Sequence, residues 1–289
     1  VRAAGSEAEE LPVADGGEST AEVLQLALGG AWRQAEVADP LGRPVSARWL
    51  VLPDGRAVVE AAAAIGLPLL APEELDPLRA SSRGLGQLLL AALDDEPAGL
   101  VVALGGTATV DGGAGLREVV RSLPVPCVAL ADVRTVLADA ARVYGPQKGA
   151  STEDVLALER RLTAIDELRP FADLPGSGAA GGLGAALAAF GAELLPGAPA
   201  VLDLLGFEER LAGCDLVVTG EGTVDATTAA GKAPGEVARR ADGAGVRCVV
   251  FGGRVVEPVP GAETVALSGD AARAEDDLEA LGRDLAARR

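Results

Sequence analysis

The chain has 289 residues, of which 49% are hydrophobic but only 2% aromatic, so it suits one large or two medium domains with cores of Leu, Val and Ala. Its formal charge of −18 excludes the basic footprint of a nucleic-acid binder. The same charge opposes anionic ligands at long range, so a site for one needs local Lys, Arg or oriented N–H groups.

Along the chain, Glu9–Val13 reads as a short strand followed by the turn Ala14-Asp15-Gly16-Gly17. Ser19, with Glu22 three residues on, predicts a capped helix that Gly29 closes. Residues 33–60 alternate enough for two strands around Pro53-Asp54-Gly55. An apolar helix is expected over Leu85–Leu93, a buried strand over Leu100–Leu104, a helix over Ala114–Leu123 and a strand over Pro124–Leu130. Ser151–Leu168 is the clearest amphipathic helix, with Val155, Leu158, Leu162 and Ile165 on one face and Pro170 ending it. Gly176–Gly184 is a glycine-alanine loop that opens a second apolar helix. Leu216–Thr219 and Val246–Phe251 read as buried strands separated by a helix near 235–241, and Leu278, Leu281 and Leu285 mark a last helix. Strands alternating with helices define an α/β chain with largely parallel sheets.

The chain contains no histidine, which excludes His-based triads and His-ligated metals and leaves acid–base work to Asp, Glu or Lys. A metal site would be built of oxygen ligands, which suits Mg²⁺. Cys127, Cys214 and Cys248 are far apart without a CxxC and read as reduced, buried small hydrophobes. No stretch is long enough to span a bilayer and no signal-type apolar region opens the chain, so a cytoplasmic protein is expected. Position 1 is Val, read as a non-standard start or a chain that begins further upstream.

Two glycine-rich stretches carry most of the chemistry. Leu100–Leu116 contains Gly105, Gly106, Asp111, Gly112 and Gly113, and Leu216–Val237 contains Gly220, Glu221, Gly222, Asp225 and Lys232. Each is an apolar run that enters glycines, the pattern of a buried strand whose carboxyl end presents backbone N–H groups to an anion. Neither is a P-loop: Gly231-Lys232 is followed by Ala233, and Ala226 stands where the leading glycine belongs. Asp111 and Asp15 read equally as turn or cap residues and as carboxylates for Mg²⁺ or a hydroxyl proton. Glu221 and Asp225 flank a turn where they could share a metal. Lys148 and Lys232 sit in glycine turns of a chain that otherwise prefers Arg, which suggests point charges on phosphate oxygens. Arg79, Ser81 and Ser82 suit a substrate carboxylate and equally suit helix capping.

The blocks LPVADGGES, LGGTATVDGGAGL, VYGPQKGAS, PGSGAAGGLGAAL and TGEGTVDATTAAGKAPGEVA, in this order, resemble the signature of the bacterial two-domain glycerate kinases. The resemblance implies ATP- and Mg²⁺-dependent phosphorylation of D-glycerate to 2-phosphoglycerate. It also implies a Rossmann-like domain from both chain ends, 1–43 and 208–289, and an inserted α/β domain, 44–207. A small-molecule substrate is implied, without nucleic acid or membrane, and homo-oligomer formation stays open. In this reading Arg79, Ser81 and Ser82 lie near the substrate carboxylate. Asp15, Asp111 and Lys148 are catalytic, Asp111 and Asp225 hold metal, and the glycines with Glu221 and Lys232 hold the nucleotide phosphates.

The chain also departs from the family's pattern. The family's first strand and its lysine would precede Val1. Ala131-Asp132-Val133-Arg134-Thr135 replaces a Cys-Asp-Val run leading to Asn-Pro-Leu, while Val110, Thr223 and Thr227 replace Asn, Arg and Gln. These changes support the alternative of a catalytically impaired homologue that binds a ligand or partner without turnover. A dinucleotide-dependent oxidoreductase is the weaker third reading, because the acidic ribose ligand is missing.

Overall fold

The computed structural model describes residues 7–288. Its contacts divide the chain into two compact units, one formed by the segment up to Val13 together with the chain from Leu202 onward, the other by Ala14–Val201. The smaller unit draws on both chain ends, with an N-terminal share that stops at Val13, and residues 14–43 belong to the larger unit.

The larger unit carries strands β1 (Ala31–Ala38), β2 (Pro44–Val51), β3 (Arg56–Glu60), β4 (Gly99–Ala103), β5 (Cys127–Ala131) and β6 (Glu193–Pro196). They form one sheet in the order β1-β2-β3-β4-β5-β6, antiparallel from β1 to β3 and parallel from β3 to β6. Its helices are α1 (Thr20–Leu28), α2 (Ala61–Ile65), α3 (Arg83–Leu93), α4 (Ala114–Val119), α5 (Ala140–Tyr144), α6 (Thr152–Thr163) and α7 (Ala179–Ala189), and α8 (Gly197–Leu204) follows β6. Pleating sends alternate side chains to opposite faces. Ala57, Val59, Leu100, Val102 and Ala129 enter one large core with Leu85, Leu88 and Leu89 of α3 and Leu183 and Leu187 of α7. Leu50, Val58, Val101 and Leu130 are buried on the other face, as is Leu24 of α1.

The smaller unit has a parallel sheet β7-β8-β9, from β7 (Leu216–Val224), β8 (Arg247–Val255) and β9 (Glu263–Ala266). Its remaining helices are α9 (Phe207–Leu211), α10 (Ala226–Ala229), α11 (Ala233–Gly243) and α12 (Ala274–Ala287). Ala238 and Ala241 of α11 pack with Val224, Cys248 and Val250 on one sheet face. Leu281 and Leu285 of α12 pack with Val249, Phe251 and Val265 on the other.

Several local expectations change. Residues 33–60 belong to three strands, because Asp39 builds an extra turn between β1 and β2 by accepting the N–H groups of Leu41 and Arg43 and the Arg43 Nε. Burial works against the Asp39 charge, but these donors outweigh it and hold the carboxyl below its ordinary range. Glu9–Val13 forms no strand; Leu11 and Val13 instead pack against Leu202, Phe207, Leu211 and Val237. Ser19 stands at the N-cap of α1 with φ of 66° and no side-chain bond, and the Glu60 carboxylate takes the Ala21 N–H at 2.9 Å in its place. The amphipathic helix ends at Thr163 as α6, capped by Ser151 and Asp154, and Pro170 lies within a separate 3₁₀ stretch, Asp166–Phe171. Cys127 and Cys248 are buried, which pushes their thiols up to about 12 and about 11, but Cys214 is exposed. Among the described residues no helix is long and apolar enough to cross a membrane.

Candidate active site

In the larger unit the carboxyl ends of β4, β5 and β6 form one edge, the place where open α/β sheets bind ligands. The Asp15-Gly16-Gly17-Glu18 turn lies on it. A methyl group on Gly105, just past β4, would sit 2.6 Å from Gly17 Cα, and one on Gly16 would sit 2.8 Å from Gly197 Cα. Gly106, at φ +69°, lies against the Glu18 carboxylate. Gly105 and Gly16 are required because backbone meets backbone there with no room for a Cβ, and Gly106 is favoured by its left-handed φ.

Two aspartates occupy this edge beside the Glu18 carboxylate. Asp15, half-buried, accepts the Gly17 N–H in a long 3.4 Å contact. Asp132 directly follows β5 and stays exposed to solvent, yet the protein packed around it first, then the charge of Asp15, pushes its carboxyl above the ordinary value. Asp132 thus carries the repulsion of a like charge, which a cation or a proton relieves. Sequence reading singled out Asp15 and gave Asp132 no role. The available signal was an Asp immediately after the apolar run Val125–Ala131.

Asp111 is 2% exposed, and its oxygens are taken by protein donors. Oδ2 accepts the Ser82 N–H at 2.9 Å, the Ser82 hydroxyl at 2.8 Å and the Gly115 N–H at 3.1 Å, while Oδ1 accepts the Gly113 N–H at 3.0 Å. Ser82 precedes α3 and Gly113 precedes α4, so one carboxylate satisfies the first turns of two packed helices, where a negative charge is favoured. Ser82 is fully buried, its hydroxyl also accepting the Leu116 N–H at 2.9 Å. The structure thus joins Ser82 to Asp111, but as an internal clamp. Ser81 accepts the Arg83 N–H at 3.3 Å. Arg79 lies apart from this clamp, exposed on an open groove with Leu41, Glu73, Asp76, Gly149 and Asp154.

Lys148 is 3% exposed. Its Nζ donates to Thr107 Oγ1 at 3.1 Å and to the Thr109 carbonyl at 2.8 Å. Burial pushes the amine down to about 7 against the opposing pull of Asp111. Gly112 and Gly113 are both left-handed, and Gly112 donates to the Gly181 carbonyl at 3.0 Å. Ala180, Gly181 and Gly182 take successive positive φ values, which lets the second glycine loop lie against Thr109 and Val110.

In the smaller unit Gly220 and Gly222 lie in β7 itself, since the strand runs through the turn expected after Thr219. Gly220 is forced by the Phe251 carbonyl, 2.4 Å from an added methyl group. Glu221 accepts the Thr228 hydroxyl at 2.5 Å and faces Lys232 Nζ at 3.4 Å. Asp225 caps α10 by accepting the Thr227 N–H at 2.8 Å and the Thr227 hydroxyl at 2.5 Å, and these bonds with the nearby Lys232 hold its carboxyl low. Glu221, Thr228 and Lys232 are brought together, with Asp225 as the cap beside them. Among the described residues no group of three or more Asp, Glu or Cys is arranged to enclose a metal.

Two α/β units with glycines at or near the carboxyl ends of parallel strands are the kind of fold that binds small anionic ligands at its strand ends. The model of the glycerate kinase family matches residues 1–123 and 118–272, and the chain belongs to that family of kinases. It is 39% identical to the glycerate 2-kinase of Escherichia coli K12 over 271 aligned residues, covering 78% of this chain and 70% of that protein. It is 34% identical to the glycerate kinase of Bacillus subtilis 168 over 294, covering 87% and 77%. A crystal structure from Salmonella typhimurium LT2, named for glycerate kinase 2, matches 96% of this chain and 87% of its own with a TM-score of 0.82 at 33% identity.

Proposed function

We propose that the chain transfers the γ-phosphoryl group of Mg·ATP to D-glycerate, giving 2-phosphoglycerate, as a cytoplasmic enzyme. The observation that carries this reading is the Asp15–Asp132 pair on a glycine-lined strand edge, in a chain that belongs to a glycerate kinase family. Phosphoryl transfer needs mainly positioning and charge neutralisation. Asp132, whose carboxyl lies above its ordinary value, is assigned the hydroxyl proton. Asp15 is assigned to the metal. Mg²⁺ commonly takes one or two carboxylates and completes its shell with water and phosphate oxygens, which one or both of these aspartates suit. When bound, the ion supplies charge neutralisation on the phosphates. Asp111 and Asp225 are assigned to hold backbone N–H groups, because those donors already occupy them.

The N–H groups of Gly105 and Gly106 are assigned to an anionic group at the β4 end. Arg79, the exposed cation, is assigned to the glycerate carboxylate. In the smaller unit Gly220, Gly222, Glu221 and Lys232 are assigned to the nucleotide, with Lys232 exchanging Glu221 for a phosphate oxygen. The test is ADP release with D-glycerate and Mg²⁺, beside calorimetric titration with Mg·ATP and with NAD⁺. Glycerate-dependent ADP release is expected. Mg·ATP binding without turnover would establish the impaired homologue, and binding of NAD⁺ alone would overturn the kinase reading.

A further inference from the structure

A buried amine with no carboxylate in contact demands an explanation, since burial of an isolated charge is costly. Lys148 is such a group: among the described residues its bonded partners are Thr107 Oγ1 and the Thr109 carbonyl, both in the loop that leaves β4. The lysine is itself immobilised. Its N–H donates to the Gly145 carbonyl at 3.0 Å, and Gly149, at φ +94°, lies where a methyl group would be 2.6 Å from the Leu75 carbonyl. The loop is pinned on its other side, where Leu67 donates to the Gly106 carbonyl and Ala108 to the Ile65 carbonyl, each at 2.8 Å. The Thr109 hydroxyl is buried without a protein partner. Among the described residues, hydrogen bonds therefore hold the Thr107–Thr109 stretch through backbone groups and the two Lys148 contacts.

A second contact extends the arrangement. The Tyr144 ring centre lies 5.7 Å from Lys148 Nζ, within cation–π range, and the Tyr144 hydroxyl donates to Thr135 Oγ1 at 2.8 Å. Thr135 stands three residues after Asp132 on the segment leaving β5. One amine and one phenol thus connect the β4 loop, bearing Gly105 and Gly106, with the β5 segment, bearing Asp132.

We infer that Lys148 is a positioning residue: its buried amine clamps the Gly105–Gly113 loop and, through Tyr144, sets that loop relative to Asp132. The inference rests on the glycerate kinase reading. It goes beyond that reading in assigning Lys148 to the geometry of the edge and not to a phosphate. Displacing reacting groups by about 1 Å costs on the order of 10²-fold in rate.

Lys148→Met fills the same volume without an amine. It should speed hydrogen–deuterium exchange of peptides covering 104–113 by about 10-fold or more and lower kcat by about 10²-fold, with KM for Mg·ATP changed by less than about 2-fold. Thr107→Val, which deletes one Nζ partner, should lower kcat by about 10-fold, and Thr107→Ser, which keeps the hydroxyl, should restore it to within about 3-fold of wild type. Unchanged exchange in Lys148→Met overturns the clamp. Faster exchange with unchanged kcat overturns its role in positioning. A wild-type chain that turns over no ATP with D-glycerate sinks the kinase reading instead, and the exchange measurement then decides the clamp by itself.

Discussion

Asp111→Ala isolates a carboxylate to which the family resemblance gives a catalytic role and whose hydrogen-bond donors lie at the starts of two helices. Removing the side chain orphans three buried N–H donors, on Ser82, Gly113 and Gly115, and the Ser82 hydroxyl loses its acceptor. Each buried group left without a partner costs about 1–3 kcal/mol, and partial relaxation or entry of water recovers some of this. A net loss of about 3–5 kcal/mol is expected, a large share of a total stability of about 5–15 kcal/mol. A unit of this size loses about 2–4 °C per kcal/mol, so the thermal midpoint should fall by about 10 °C or more. Asp111→Asn should fall about as far, because its amide turns a donor toward other donors. Differential scanning calorimetry and urea unfolding read the loss, and single-turnover kinetics on the folded fraction read the chemistry. If either variant keeps its midpoint within about 2 °C while turnover falls by about 10²-fold, the clamp is wrong and Asp111 contacts the reacting groups.

Lys148 makes a signed pH prediction. Its folded-state amine titrates near 7 and its unfolded-state amine near 10.5, so between these values the unfolded chain holds more protons and stability rises with pH. Asp111 and Tyr144 face the amine, and urea unfolding of wild type and Lys148→Met should show that this rise is lost in the variant; parallel profiles would refute the burial. Gly105→Ala places a methyl group 2.6 Å from Gly17 Cα, so it should displace the Asp15 turn and raise KM for D-glycerate by roughly 10-fold with little loss of secondary structure by circular dichroism. Wild-type KM in that variant would show the turn is not part of the site. With a thiol reagent at pH 8, Cys214 should react at once, whereas Cys127 and Cys248 should wait for unfolding because burial keeps both protonated. Prompt reaction of three thiols would contradict the packing of β5 and β8.

The sequence by itself determined the elements with strong local signals. Val155, Leu158 and Leu162 recur at helical spacing behind the Ser151–Asp154 capping box, and α6 forms there. The apolar runs of β4, β5, β7 and β8 are long enough to form strands, and their alternation with helices sets the α/β class; β4, β5 and the start of β8 are buried as expected, whereas the Leu216–Thr219 run of β7 is only half-buried, with Val218 exposed. β6 and β9 were not legible, because each is a four-residue strand whose place is set by a parallel partner far away in the chain, β5 or β8. The same limit governs the site. Asp15, Asp111 and Asp225 share one local signature, an Asp beside glycine or small residues in a turn. Only the tertiary structure decided that Asp111 faces donors including Ser82, 29 residues away, that Asp225 serves its own helix, and that Asp15 shares an edge with Asp132. Lys148 likewise looks like a surface lysine until the fold brings Thr107, 41 residues away, to its amine. Periodicity reports which face of an element is buried, whereas a polar side chain's role depends on which donors and charges meet it, and that is a property of the packing.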